Sequence, residues 1–243
     1  MKKFALSVTL ALLLAIPLNS SGAGKEPAVK KDGKKQDSGF FVNYKPKAGS
    51  IGRPVLRIGG GTRGAGYNTP VLAALAPDHV GLTTREKPTL CWYLSDRART
   101  RLEITINDEA SPRPVFEREF TEATEPGIQC MSLAGYDVSL TPDVEYQWFV
   151  AIVVDPEHRS RDIVSTGMIK RVMPSPQLIS QLGSAGSELG KAAVYASEGI
   201  WYDALSLLSA RIIEQKEDRG LRAERARLLD QAGLTAAAAF DRQ

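Results

Sequence analysis

Short apolar runs separated by turn residues, between residues 71 and 172, constrain the fold of this chain more than any other feature. The runs are rich in β-branched and aromatic residues, and no helical pattern intervenes between them. Six strands are predicted, at residues 89–94, 101–107, 114–120, 127–133, 145–154 and 162–172. Evenly spaced strands of this kind are typical of an antiparallel β-sandwich. We assign residues 54–173 to that domain.

Two of these runs indicate which side chains face the core. In residues 101–107 (RLEITIN), apolar and polar side chains alternate, as expected for a strand with one buried face. In residues 89–94 (TLCWYL), Trp92 lies on the same face as Leu90 and Leu94. Trp92 is therefore predicted to be a core residue.

The segment 140–146 (LTPDVEY) narrows the type of sandwich. Its pattern L-x-P-x-x-x-Y, just before a long strand, resembles the tyrosine corner of fibronectin type III domains. The resemblance implies an immunoglobulin- or fibronectin-like sandwich in which the Tyr146 hydroxyl bonds to the backbone a few residues upstream.

The pattern changes after residue 172, where Ala, Leu and Glu recur with the period of a helix, and residues 177–243 are predicted to be helical hairpins. Four positions recur 34 residues later: Ala192, Tyr195, Gly199 and Ala204 as Ala226, Leu229, Gly233 and Ala238. The order small, large, turn glycine, small resembles a tetratricopeptide hairpin, in which Gly199 ends a helix and Ala204 allows close packing. The alternative is two amphipathic hairpins without that relationship. Two repeats rarely stand alone, so the helices should dock on the sandwich or on a partner.

The first 23 residues have the features of a Sec-type signal peptide. Lys2 and Lys3 precede an apolar run over residues 4–18, and small residues at 21–23 predict cleavage after Ala23. The run is short for a membrane span. We therefore expect a periplasmic or secreted protein with no transmembrane span after cleavage.

A basic, disordered linker is predicted at residues 24–53. Seven lysines face three acidic residues between positions 24 and 50, whereas the remaining body has a slight acidic excess. The lysines could contact an anionic lipid or cell-wall surface, the alternative being a solvated linker. Because the body is acidic and has no aromatic-lined basic stripe, nucleic-acid binding is not expected.

Residues 57–68 (RIGGGTRGAGYN) contain the spacing G-x-G-x-x-G of a dinucleotide-binding loop. That loop needs a preceding strand and a helix whose N-terminus holds the pyrophosphate, but here Tyr67-Asn68-Thr69-Pro70 and an all-β region follow. We interpret the glycines as a turn or lead-in loop, and no cofactor is expected.

The chain has two cysteines, Cys91 and Cys130, and two histidines. In an oxidising compartment an even count favours a disulfide, although two separate core thiols are the alternative. His79 and His158 do not have the spacing of metal ligands.

The remaining candidate residues are arginines and aromatics. Residues 155–162 (DPEHRSRD) contain Ser, His and Asp, but a catalytic triad needs groups from separate elements. We expect an interstrand loop closed by an Arg–Asp network. In the alternative, Arg63, Arg159 and Arg161 contact a carboxylate or phosphate. Trp201 and Tyr202 are candidate partner contacts if they are exposed, or docking residues if they pack on the sandwich.

Several stretches together resemble the bacterial domain-of-unknown-function family 928. They lie at residues 60–64, 72–94, 146–148, 159–162, 167–172 and 199–205. Gly66 and Met168 depart from the pattern, since a cysteine and a tryptophan are expected there, so no family cysteine pairing is carried over. The resemblance implies a secreted protein and no particular activity.

These observations lead us to expect a non-enzymatic interaction or scaffold protein of the cell envelope, with an envelope protein as partner. The alternatives are a small-ligand or glycan-binding module, a regulator of a membrane sensor, and a hydrolase whose Ser, His and carboxylate groups converge from different strands.

Overall fold

The computed structural model describes residues 41–47, 58–59, 70–108 and 111–243. Nine strands are described: β1 Ile58–Gly59, β2 Leu72–Ala74, β3 Gly81–Thr83, β4 Thr89–Leu94, β5 Leu102–Asp108, β6 Phe116–Phe120, β7 Gly127–Ser132, β8 Glu145–Ile152 and β9 Ile163–Arg171. Five helices follow: α1 Pro176–Ser184, α2 Glu188–Ser197, α3 Trp201–Glu214, α4 Arg219–Gln231 and α5 Thr235–Asp241. The predicted signal peptide, Arg63, Gly66 and most of the glycine run lie outside the described residues.

The strands form two sheets. One has the order β1-β2-β4-β7 and is antiparallel throughout, and the other has the order β3-β9-β8-β5-β6. In the second sheet only β3 and β9 are parallel. The prediction of two sheets followed by helices is confirmed, but it lacked the parallel strand β3.

Alternating side chains of both sheets meet in a common core. Leu90, Leu94 and Ile104 are fully buried, and Trp92 is 4% exposed on the predicted face. The Tyr146 hydroxyl accepts a hydrogen bond from the Thr141 backbone N–H at 3.1 Å. This is the upstream contact that the segment 140–146 predicts.

The 34-residue repeat has a structural counterpart in two helical hairpins, α2–α3 and α4–α5. Gly199 and Gly233 have φ angles of 75° and 73°, a conformation that side chains other than glycine rarely adopt. After each glycine, the next backbone N–H bonds to a carbonyl of the preceding helix, Ile200 to Tyr195 at 2.8 Å and Leu234 to Leu229 at 3.0 Å. Both hairpins therefore turn through the same glycine-ended cap.

The helices dock on the sandwich through α3. Trp201 and Tyr202 are 0% and 1% exposed. The Trp201 indole N–H donates to the Leu75 carbonyl at 2.8 Å. The Tyr202 hydroxyl donates to the Met168 carbonyl and accepts from the Trp148 indole N–H. The alternative that Trp201 and Tyr202 are partner contacts is therefore wrong, because the sandwich already covers both rings.

Residues 41–47 cross the helices as an extended strap, which corrects the predicted linker 24–53 in this part. Val42 and Tyr44 are buried. The Val42 N–H donates to Glu224, and the Tyr44 N–H donates to Gln231. The buried Val42 and Tyr44 side chains, at alternate positions, and these backbone hydrogen bonds hold the strap, and the surrounding lysine-rich composition concealed them.

Replacing Tyr44 with phenylalanine should lower the free energy of unfolding by about 1–2 kcal/mol. The Tyr44 hydroxyl lies 2.8 Å from His79 Nε2, and its removal leaves a buried ring nitrogen without that partner. Urea titration followed by tryptophan fluorescence measures the change. Asn43→Ala is the matched control, since Asn43 is the exposed residue between the two strap anchors. Equal losses from the two variants would contradict the role given to the hydroxyl.

A disulfide joins β4 to β7. Cys91 and Cys130 are directly opposite in the strand register, with a Cα–Cα distance of 4.1 Å. The two sulfurs are bonded. The sequence left open whether the two side chains face each other, and the register decides it.

The double replacement Cys91→Ala/Cys130→Ala should lower the free energy of unfolding by roughly 2–4 kcal/mol, because the unfolded chain loses a cross-link that closes a loop of about 40 residues. Thermal unfolding with and without a reducing agent provides the measurement. The reductant should lower the melting temperature of the wild type and leave that of the double variant unchanged. A variant that still responds to the reductant would show that the effect lies elsewhere.

Candidate functional site

The polar loop at residues 155–162 is closed by its own ion pairs. The Arg159 guanidinium donates to Asp162 and, through two nitrogens, to Glu103 of β5. These two carboxylates raise the pKa of Arg159 further above its ordinary value. Asp155 accepts from His158 and Arg161, and the hydrogen bond from His158 lowers the pKa of Asp155. The expected Arg–Asp network is present.

This network weakens the alternative of an arginine site for anions. Arg159 is already neutralised by two carboxylates, and Arg161 lies 3.4 Å from Asp155. An incoming anion would have to displace these partners. Arg63, the third arginine of that alternative, lies outside the described residues.

Two buried polar clusters elsewhere hold segments together. Tyr44, His79 and Asp78 form a hydrogen-bonded line, and burial raises the pKa of Tyr44, so the phenol remains protonated. Asp203 at the start of α3 accepts from Thr83 and Thr84, and burial raises the pKa of its carboxyl group. Both clusters fasten the strap or α3 to the sandwich. Among the described residues, no group of three or more His, Cys, Asp or Glu side chains is placed to hold a metal ion.

A concave surface with an aromatic lining lies where the edge strands of the two sheets approach each other. β7 is the last strand of its sheet and β6 is the last strand of the other. A groove of about 890 Å³ separates them. It is lined by Trp92, Phe120 and residues 122–125, 129–132 and 134–136, and we call it the edge groove.

The walls of the edge groove are aromatic and its rim is charged. The Trp92 and Phe120 ring centroids are 6.2 Å apart. The Arg118 guanidinium carbon lies 5.9 Å from the ring centroids of both Phe120 and Tyr136. Glu122 and Glu125 stand on the turn at one end, where Glu125 pairs with Arg97 at 3.0 Å. The groove therefore offers an apolar interior with carboxylates at one end.

One polar group in the groove wall has no hydrogen-bond partner among the described residues. The indole N–H of Trp92 is buried and makes no hydrogen bond to any residue that the structure describes. A buried donor without an acceptor costs about 1–3 kcal/mol. The wall of the edge groove thus contains a buried donor that no described residue satisfies.

The edge of β7 that faces away from β4 borders the groove at residues 129–132. Residues 129–132 all line it, and consecutive strand residues point to opposite faces, so their backbone edge itself faces the groove. The Leu133 N–H bonds to the Pro88 carbonyl, which sets the phase of the β4–β7 ladder. In that phase the N–H and C=O groups of Ile128, Cys130 and Ser132 point away from β4.

The sequence predicts the strands that contribute to the edge groove, but it does not predict that they enclose a groove. Trp92 was predicted to be a core residue. Phe120 and Tyr136 carried no signal beyond their place in or beside predicted strands. The positions of β6 and β7 at the ends of their two sheets depend on strand order, which the spacing of strands does not determine.

No helix among the described residues is both long and apolar enough to cross a membrane.

Comparisons with known proteins identify a family. A search of curated proteins finds no match. The family model described as Domain of Unknown Function (DUF928) matches residues 58–240, which include both sheets and nearly all of the helical part. This match covers most of the chain and agrees with the resemblance seen in the sequence, so the protein belongs to the DUF928 family.

Proposed function

We propose that this protein is a non-enzymatic interaction protein of the cell envelope that binds a partner protein at the edge groove. One observation carries the proposal: an aromatic groove of about 890 Å³ lies beside a strand edge whose outward backbone groups are unpaired among the described residues. Natural proteins usually cover or blunt such edges. Exposed apolar grooves with charged rims are typical of protein contact sites.

The helical part has a supporting role in this proposal. Its two aromatic anchors are buried against the sandwich, so they position the helices and contact no partner. Phe240 of α5 packs against Tyr93 of β4, with ring centroids 5.9 Å apart, on the outer face of the four-stranded sheet. The helices thereby cover the sheet face beside β7 and leave its edge open.

The proposal is tested by site-specific photo-cross-linking in cells of the source organism. A benzophenone amino acid is placed at Ala123, which is exposed and lines the edge groove, and separately at Ala236, an exposed alanine on α5. We expect a defined adduct from position 123 and none of the same mass from position 236. The captured protein is then purified and its affinity for the unmodified chain is measured.

A groove-filling variant decides whether the captured protein binds at this site. Ala123→Trp should weaken the affinity of the purified partner at least 10-fold, whereas Ala236→Trp should leave it unchanged. Failure to form an adduct at position 123, or equal affinities of the two variants, would refute the proposed site. Circular dichroism and melting temperature are compared first, to show that both variants fold as the wild type does.

A small-ligand or glycan-binding function is the second candidate, and the groove volume favours it. A volume of about 890 Å³ lies within the range of small-molecule sites, and Gln129 and Ser132 supply polar groups beside the aromatic wall. Titration of cell-wall fragments against the wild type and Ala123→Trp distinguishes this candidate. Saturable binding that the variant abolishes would favour it over a protein partner. A regulator of a membrane sensor differs from the first proposal only in the identity of the partner.

Location and finer architecture complete the proposal. The predicted signal peptide at residues 1–23 supports a location in the periplasm or outside the cell. The Tyr146–Thr141 hydrogen bond supports a fibronectin type III-like sandwich for residues 54–173. The equivalent caps at Gly199 and Gly233 support a tetratricopeptide-like origin for residues 177–243.

A further inference from the structure

Resting on the proposed function, we infer that the partner inserts an extended segment that adds to β7 as a further strand. The segment would carry an apolar side chain that enters the edge groove and a Lys or Arg beside Glu122. Its backbone would pair with the outward groups of Ile128, Cys130 and Ser132. Recognition of this kind obtains affinity from main-chain hydrogen bonds and specificity from pockets for alternate side chains.

The backbone geometry favours β7 over β6 as the receiving edge. β7 contributes four consecutive residues to the groove lining, whereas β6 contributes only Phe120. A strand laid along β7 would therefore have the groove beneath every inward-facing side chain. β7 is also held rigid by the disulfide from Cys130 to Cys91 and by six register pairs with β4. Because this edge is already rigid, its backbone loses little conformational entropy when a strand is added.

The groove chemistry defines the side chains of the segment. Trp92, Phe120 and Met131 form an apolar interior that suits a large aliphatic or aromatic residue. At the turn that closes one end, Glu122 makes no ion pair with any residue that the structure describes, whereas Glu125 pairs with Arg97. A cation two residues beyond the apolar side chain would meet the Glu122 carboxylate.

The phase of the β4–β7 ladder provides an internal control within one strand. The amide N–H groups of Gln129 and Met131 point toward β4 and are already bonded, while those of Ile128, Cys130 and Ser132 have no partner among the residues that the structure describes. Strand addition should therefore slow hydrogen exchange at the three outward amides and leave the two inward ones unchanged. A ligand that merely fills the groove would not produce this alternation.

The test begins with a random peptide library displayed against the full chain. Bound peptides are eluted by competition with soluble wild type and counter-selected on Ala123→Trp. We expect sequences with apolar residues at alternate positions and a flanking Lys or Arg. Binding of a synthetic winner should slow exchange at residues 128, 130 and 132 at least 10-fold. N-methylation of one alternate set of its amides should weaken binding at least 10-fold, and of the other set less than 3-fold.

Each outcome bears on one of the two proposals. Selection of no peptide, or winners whose affinity is insensitive to N-methylation at either set, would overturn strand addition. If a partner is nevertheless cross-linked at position 123 and lost in Ala123→Trp, the proposed function stands without strand addition. If Glu122→Gln fails to weaken binding of Lys- or Arg-bearing winners, the cation assignment is wrong while the backbone pairing is retained.

Discussion

Trp201→Ala should lower the free energy of unfolding by about 4–5 kcal/mol, because it removes the largest fully buried side chain at the start of α3. The indole packs edge-on to Tyr44 with ring centroids 5.0 Å apart, and its N–H donates to the Leu75 carbonyl. The variant leaves a cavity and an unpaired carbonyl between the helices, the strap and the sandwich. For a chain of this size, the melting temperature should fall by about 10–20 °C.

Ile213→Ala on the same helix is the matched control. Ile213 is 66% exposed, and its truncation should change stability by less than about 0.5 kcal/mol. Differential scanning calorimetry should show a single transition for the wild type and for both variants, because the helices and the sandwich share one hydrophobic core. A Trp201→Ala variant whose helices melt alone, with the sandwich transition unmoved, would contradict that shared core.

This dependence on Trp201 shows where sequence reasoning reached its limit. The period of apolar residues on α3 predicts that one face is covered, but the same period results whether a partner or the sandwich covers it. The contacts of Trp201 with Leu75 and of Tyr202 with Met168 show that the sandwich covers this face. Leu75 is 126 residues from Trp201, and Met168 is 34 residues from Tyr202. The choice is a tertiary fact that helical periodicity does not encode.

The strands show the same contrast between local and tertiary information. β4 has the predicted bounds, because TLCWYL is flanked by turn residues and has the composition of a strand. β2 and β3 were not predicted, because they are three residues each and buried throughout, so no alternation marks them. The edge groove was inaccessible for a related reason: it depends on which strands end the two sheets, and turn spacing does not give that order.

The strap was missed because composition averages over neighbours. Residues 41–47 include Lys45 and Lys47, which fit a solvated linker. Val42 and Tyr44 precede these lysines and are buried, two positions apart. Their partners are distant in sequence: the Val42 N–H bonds to Glu224 of α4, and the Tyr44 hydroxyl lies 2.8 Å from His79. Two apolar anchors in a basic segment indicate docking only when the receiving surface is known.

A buried ion pair connects α4 to α5 near the end of the chain. Arg225 and Asp241 are 5% and 2% exposed, and two guanidinium nitrogens donate to the two carboxylate oxygens at 2.6 Å each. A third nitrogen donates to the Ser209 hydroxyl of α3 at 3.1 Å. The pair thus joins three helices in a region where water does not screen the charges.

Arg225→Met should lower the free energy of unfolding by about 3–5 kcal/mol, because it leaves the Asp241 carboxylate buried without its cation. The double variant Arg225→Met/Asp241→Leu should recover most of this loss and lie within about 1 kcal/mol of the wild type, since desolvating both charges offsets much of their attraction. Urea unfolding of the wild type, both single variants and the double variant completes the cycle. If the double variant is no more stable than Arg225→Met, the loss comes from helix packing around Arg225 rather than from a stranded charge. Recovery in the double variant would show that the ion pair makes little net contribution to stability and that the loss in Arg225→Met comes from the unpaired carboxylate.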